Sequence, residues 1–316
     1  MRKLYRNLIF IALGTIIFFA TNHVDEFRIT EAATVASFVI AISSIVLLTG
    51  YSGQISLGHG ALMAVGAYAA VLSQIHWHLP LAATFAIAVL AAALVGALLG
   101  LAAGRLRGPY LAGTTLALAV GLPSLANQFS ILGGEQGLDY NIGAAPTSFQ
   151  KNFTEYKWFF WIVALAALII VWVIANILNS RYGRQWRALR SAPVSAELAG
   201  INVGRSKILA FTISSGVAGL AGAVMGVNLR HISPSSFLLG LSFTILTGAV
   251  LAGVSSLAGS LIGALVLVAI PDLTGQISDH FASSPRISDN LPAFITSSLL
   301  IVTVLFAPNG PKFLKK

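Results

Sequence analysis

The sequence predicts an all-α polytopic membrane protein of about ten transmembrane helices, and three observations carry that prediction. Of 316 residues, 56% are hydrophobic and only 9% are charged, far from the roughly 25% charge of globular domains. Apolar runs of roughly twenty residues, long enough to cross a bilayer as helix, recur from end to end. The charges also sort by sign along the chain. A transmembrane barrel would instead show alternating segments of about ten residues, and the sequence has none.

The spans fall at about 4–20, 32–49, 55–75, 81–103, 109–131, 158–178, 208–229, 238–254, 257–271 and 291–308, and form a single transmembrane domain over 1–316. The first opens like a signal peptide, with Arg2, Lys3 and Arg6 before an apolar stretch. Phe18 stands where a cleavage site ending at Ala20 wants a small residue, so it reads as a retained helix. With the N-terminus inside, fourteen of the nineteen Lys and Arg fall in cytoplasmic segments, and nine of the ten acids fall outside. That pattern satisfies the positive-inside rule with both termini cytoplasmic. The net charge of +9 therefore reports orientation and contact with anionic lipids, not a nucleic-acid partner.

No Asp, Glu, Lys or Arg lies in the middle of a span, so carboxylate-based coupling to protons or sodium is not expected. Uphill transport would draw its energy from another chain. There is no Cys, which excludes disulfides and thiolate metal sites. Small residues three or four apart (Gly96 and Gly100; Gly216, Gly219 and Gly222; Gly259 and Gly263) predict close helix packing.

The one long segment unfit for a membrane is the cytoplasmic loop over 179–207. It carries Arg181, Arg184, Arg187, Arg190, Arg205 and Lys207 against Glu197 alone. Within it, Ser191, Ala192 and Pro193 read as a helix start, and Gly200 as its stop. About two turns, Pro193 to Ala199, would project small and apolar residues as a docking element for another protein.

The most distinctive intramembrane stretch runs from Gly50 to Gly60 and includes Tyr51, Ser52, Gly53, Gln54, Ser56, Gly58 and His59. Four glycines among polar residues make a poor uninterrupted helix. Irregular backbone at membrane depth survives where it is buried in protein or lines a watery cavity. The stretch reads either as a break placing polar groups near a translocation route or as a turn at the cytoplasmic face. Gly50-Tyr51-Ser52-Gly53 also fits the G-x-S-G of intramembrane serine proteases, which would need a base such as His59 within reach of Ser52.

Asn127 and Gln128, after Pro123, could bond a solute or a neighbouring helix. His76-Trp77-His78 suits an interfacial aromatic anchor better than a metal site. Arg230-His231 breaks the charge rule on the acidic side. No phosphate-binding G-x-x-x-x-G-K-[ST] motif occurs, so ATP would not be bound here.

Two blocks carry a family resemblance. Gly50 to Tyr68, GYSGQISLGHGALMAVGAY, is similar to a G-Y-x-G-Q-x-S-L-G-H stretch. Arg181 to Phe211 is similar to a G-R-x-x-R-A-I-R…A-x-x-x-G-I-N loop. Both resemble the LivM-type permease subunits of branched-chain amino-acid ABC importers, within a larger group that includes urea, amide and sugar permeases. The chain departs from the family pattern at Leu132–Leu138 and at Leu251–Ser256. The resemblance implies an ABC-importer permease fold and no cofactor on this chain, with ATP used by two cytoplasmic ATPase subunits. It also implies a second permease subunit, a paralogue, and a soluble solute-binding protein. The loop would carry the coupling helix, with Arg187, Pro193, Glu197, Ala199, Gly200 and Ile201 at the ATPase contact.

Overall fold

A computed structural model describes residues 24–105, 109–141, 143 and 154–279, with scattered positions in 7–21 and 294–302. Each of the eight expected spans between about 32 and 271 overlaps a helix. These are α1 (Glu26–Ile45), α2 (His59–Trp77), α3 (Leu81–Arg105), α4 (Pro109–Gln128), α5 (Glu155–Leu178), α8 (Val203–Leu229), α9 (Leu239–Leu251) and α10 (Gly259–Asp279). The expected spans at 4–20 and 291–308 lie largely outside the described residues.

Five helical stretches among the described residues are long and apolar enough to cross a bilayer: Glu26–Tyr51, Leu81–Gly104, Glu155–Leu178, Val203–Leu229 and Pro234–Leu251. A sixth follows if Tyr110–Gln128 and Ser130–Gln136, bent by 100°, form one span. The expectation of about ten therefore stands at five or six here. The span expected to run on to about 131 is shorter because the chain turns extended at Phe129 and left-handed at Gly133, φ +79°.

Two further helices occupy the loop, α6 (Arg181–Ser191) and α7 (Pro193–Leu198). The first was not anticipated. Its signal is a three-residue spacing: Gly183, Trp186 and Leu189 are buried, while Arg181, Arg184, Arg187 and Arg190 are exposed, the two faces of an amphipathic helix. Ser180 caps it, accepting from Tyr182 N at 3.2 Å. Ser191 consequently ends α6 and bonds back to Arg187 O at 3.1 Å, so it does not cap α7. Ala192 holds that position, with no side-chain bond.

At the centre, α8 packs against α2 and α3, with α1 alongside. Small residues allow this. A Cβ on Gly219 would stand 2.7 Å from Ala88 O, and one on Gly66 or Gly222 would strike the facing backbone of Gly219 or Met63. With no hydrophobic force between helices in lipid, such close contact is the main source of association. Buried hydroxyls tie the helices further: Ser43 Oγ to Ser260 Oγ at 3.1 Å and Ser214 Oγ to Ser44 O at 2.8 Å.

Helix direction alternates, so the charged segments gather on two opposite faces. The basic face holds α6, α7, the start of α8 and the break after α1. The acidic face holds Glu26, Glu31, Glu135, Asp139, Glu155 and Asp272. There a two-residue ladder, β1 (Leu138–Asp139) with β2 (His231–Ile232), is antiparallel. It pins the loop after α4 to the end of α8.

Candidate functional site

The helix entering the Gly50–Gly60 stretch loosens before it breaks. Val46–Tyr51 forms a π-helical turn, a deformation that frequently marks functional sites. Ser52 Oγ donates to Leu48 O at 2.7 Å, and Gly53 adopts φ +71°, a conformation glycine takes at no steric cost. The backbone then runs irregularly to Gly58 before α2 starts at His59.

Bonds from the break and the start of α2 reach three other helices, α4, α8 and α9. Gln54 Nε2 donates to Ser52 Oγ at 2.9 Å and to Lys207 O at 3.3 Å. Leu57 N donates to Thr115 Oγ1 of α4 at 3.0 Å, and Gly58 N to Ser56 Oγ at 3.3 Å. Gly60 N donates to Ser242 Oγ of α9 at 2.9 Å. His59 Nε2 lies 3.2 Å from Ser214 Oγ. Because that hydroxyl already donates to Ser44 O, it accepts from the imidazole, which places the proton on Nε2. Glycine is required where backbones meet: a Cβ on Gly50 would overlap Val254 O, and one on Gly58 would stand 2.6 Å from Thr115 O.

The break lies at the basic face, beneath α6. Arg190 Nη1 donates to Gly50 O, and the Arg187 guanidinium sits over the Tyr51 ring, 5.7 Å from its centroid. Ser52 and His59 do not pair, since each is bonded elsewhere, so the nucleophile-and-base arrangement of a serine protease is not formed. Asn127 and Gln128 are not part of this cluster. They are exposed at the opposite end of α4, twelve residues beyond Thr115 and therefore about 18 Å along the helix.

The anchoring of α6 is specific. Trp186 is fully buried and its Nε1 donates to Ser206 O at 3.0 Å, fixing α6 to the first turn of α8. Beyond it α7 is held out from the body, with Val194 72% and Leu198 85% exposed. Its end is a paired backbone cap: Gly200 N donates to Glu197 O at 2.9 Å and Ile201 N to Ala196 O at 3.0 Å. That is the Schellman pattern, with Gly200 at φ +83° and nothing within 4 Å of where a Cβ would sit. Ala199 N closes on Ser195 O at 3.0 Å. Pro193 opens the helix at its first position.

On the acidic face Arg230 caps α8 in left-handed conformation, φ +57°. It pairs with Glu155 at 3.1 Å and lies over the Phe159 ring at 4.6 Å. His231 Nδ1 lies 2.9 Å from Asp139 Oδ1. Beside them the buried Tyr140 hydroxyl meets Thr84 Oγ1 at 2.7 Å. Burial pushes that phenol up to about 12, with the Thr84 bond acting in the opposite direction. Sequence reasoning left Arg230 unassigned, because its partners lie 71 to 75 positions away in the chain. Trp77, 67% exposed, ends α2 at this face, and no group of three or more metal-ligand side chains occurs among the described residues.

Membrane-length helices packed through small residues, with a short exposed helix held at one face, define a polytopic helical membrane domain. The chain belongs to the family described as branched-chain amino acid transport system / permease component, whose model matches residues 28–306. LivM of Escherichia coli K12, a high-affinity branched-chain amino acid transport permease, is 29% identical over 288 residues, covering 84% of this chain and 65% of its own length. LivH of Salmonella typhimurium, of the same named system, is 31% identical over 192 residues, covering 60% of this chain and 54% of its own. The ribose import permease RbsC of Escherichia coli K12 is 29% identical over 269 residues, covering 79% and 77%. The chain thus spans just under two thirds of the length of its LivM relatives.

Proposed function

We propose that this chain is the membrane-spanning subunit of an ATP-binding-cassette importer for branched-chain amino acids. It would lie in a bacterial inner membrane with its basic face, and both termini, in the cytoplasm. A second, paralogous permease subunit would complete the pore. Of two ATPase subunits, one would seat on α7 and the other on its counterpart in the second permease subunit, and a soluble binding protein would deliver solute to the acidic face. In this reading ATP closure pushes α7, and Trp186 transmits the movement to α8. Arg190 and Arg187 transmit it to the Gly50–Gly60 break, so that the helices anchored there rock. The path residues Gly50, Tyr51, Ser52, Gly53, Gln54, Ser56, Gly58 and His59 act at the inner end of the route, and Asn127 and Gln128 at the outer end.

The observation that carries the reading is α7 itself. A six-residue helix buries only Ala196 and presents Val194 and Leu198 to solvent, yet it is closed by a full backbone cap and follows a helix anchored by a buried tryptophan. Apolar side chains held rigidly outside a membrane domain suit the groove of a soluble partner.

The test is co-purification from native membranes with this chain as bait, together with uptake assays. Recovery of an ATPase is expected, and Gly200→Val, which forces a β-branched residue into left-handed backbone, is expected to abolish both recovery and uptake without preventing insertion. Normal uptake in that variant overturns the lever. Uptake of ribose or urea in place of leucine, isoleucine and valine overturns the solute, and the likeness to RbsC makes that comparison necessary.

A further inference from the structure

Between the break and α6 lies a cavity of about 430 Å³, within the range of small-molecule sites. Its chemistry is unusual for this protein. Arg190 and Lys207 both line it, and no acidic side chain does. The Lys207 ammonium has no hydrogen bond or ion pair among the described residues, and Arg190 uses one nitrogen on Gly50 O, leaving its remaining N–H groups free. Ile55, Leu111 and Leu189 supply an apolar wall.

Gln54 lines the same cavity and is only 4% exposed. Its amide orientation is dictated by its neighbours. Ser52 Oγ gives its hydrogen to Leu48 O and Lys207 O is a carbonyl, so both require a donor and both receive Nε2. Oε1 is left buried with no donor, a costly state for a polar atom. The cavity therefore presents unpaired cations and an aliphatic surface, with the unpaired acceptor of Gln54 buried in its wall.

We propose that this cavity binds a zwitterionic α-amino acid with an aliphatic side chain. The carboxylate lies against Arg190 and Lys207, the side chain rests on Ile55, Leu111 and Leu189, and the ammonium pairs with Gln54 Oε1 once that amide turns out of the cavity wall. This rests on the importer reading and deepens it, giving the imported solute an exit site at the basic face. Because the site is built partly from α6, its occupancy opposes movement of the lever, and accumulated solute slows its own import.

The experiment titrates the purified full chain, in phosphatidylcholine nanodiscs, with L-leucine, leucinamide and 4-methylpentanoate. Saturable leucine binding is expected, with each analogue about tenfold weaker or worse, since each lacks one of the two charged groups. Lys207→Gln is expected to weaken leucine about tenfold while leaving the fold intact, because that ammonium holds no partner among the described residues. Arg190→Gln is the second variant. Leucine binding indifferent to both substitutions, or leucinamide binding as well as leucine, overturns the site. So does loss of leucine binding when phosphatidylglycerol replaces phosphatidylcholine, which would assign the cations to lipid phosphate. ATP-driven leucine uptake by the complete complex is measured alongside. Uptake without leucine binding at this cavity overturns the exit site alone, whereas absence of leucine uptake overturns the importer reading beneath it.

Discussion

At the scale of single residues, the polar side chains of this protein act as connectors between helices. His59, Ser214 and Ser44 join three helices through one chain of bonds, and Gln54 joins the break to α8. Tyr140 plays the same part on the acidic face and yields a pH prediction. Its folded pKa is raised to about 12 above the ordinary value near 10, so the unfolded chain loses the phenolic proton first. The stabilisation from burying neutral Tyr140 is complete below pH of about 10 and disappears as pH rises to about 12. The wild type is expected to lose on the order of 2 kcal/mol more stability than Tyr140→Phe across that window, read by thermal unfolding in detergent at stepped pH. Parallel curves for the two proteins would remove the role given to burial. None of these pairings was legible in the sequence. His59 and Ser52 stood out as polar residues in a glycine-rich stretch, but their partners lie on helices far along the chain, and nothing local specifies them.

At the scale of elements, legibility followed the physical code that each element uses. Helices selected by hydrophobic length alone, such as α3 and α5, begin and end within about three residues of expectation, because the bilayer demands little beyond apolar length. Gly200 was legible as a helix stop because left-handed backbone is a local requirement. By contrast α6 was hidden by its arginines. A mean composition that reads as loop concealed a strict three-residue spacing, and its apolar face is only Gly183, Trp186 and Leu189. The break was visible as a place where helix could not continue, yet its position beneath α6 came only with the fold. The element-scale prediction concerns Trp186. Replacing it with Ala removes a fully buried aromatic and the bond to Ser206, a loss of about 3–5 kcal/mol, concentrated where α6 meets α8. Hydrogen exchange across 181–201 is expected to accelerate sharply in Trp186→Ala, with the amides of α3 unchanged. Uniform acceleration throughout the bundle would mean that α6 is part of the core and not a separately braced lever.

At the scale of the whole molecule, charge and packing divide the work. Packing through Gly66, Gly219 and Gly222 brings α2, α3 and α8 into backbone contact and makes a stiff body, while charge decides which way that body faces. The two faces differ in sign because helix alternation carries Arg184, Arg187, Arg190, Arg205 and Lys207 to one side and Glu135, Asp139, Glu155 and Asp272 to the other. The positive-inside rule concerns Lys and Arg near the ends of spans, so the orientation rests on α6 and the start of α8 more than on the net charge. The chain contains no cysteine, which makes this directly measurable. Leu198→Cys places a single thiol on exposed α7, and Glu135→Cys places one on the exposed loop of the acidic face. In intact spheroplasts a membrane-impermeant maleimide is expected to label Glu135→Cys and not Leu198→Cys, and permeabilisation is expected to expose both. The reverse pattern would place α7 outside the cell, beyond the reach of any ATP-driven subunit, and would overturn the importer reading together with the orientation. Labelling of both thiols before permeabilisation would show that the arginines of α6 do not hold this protein in one orientation.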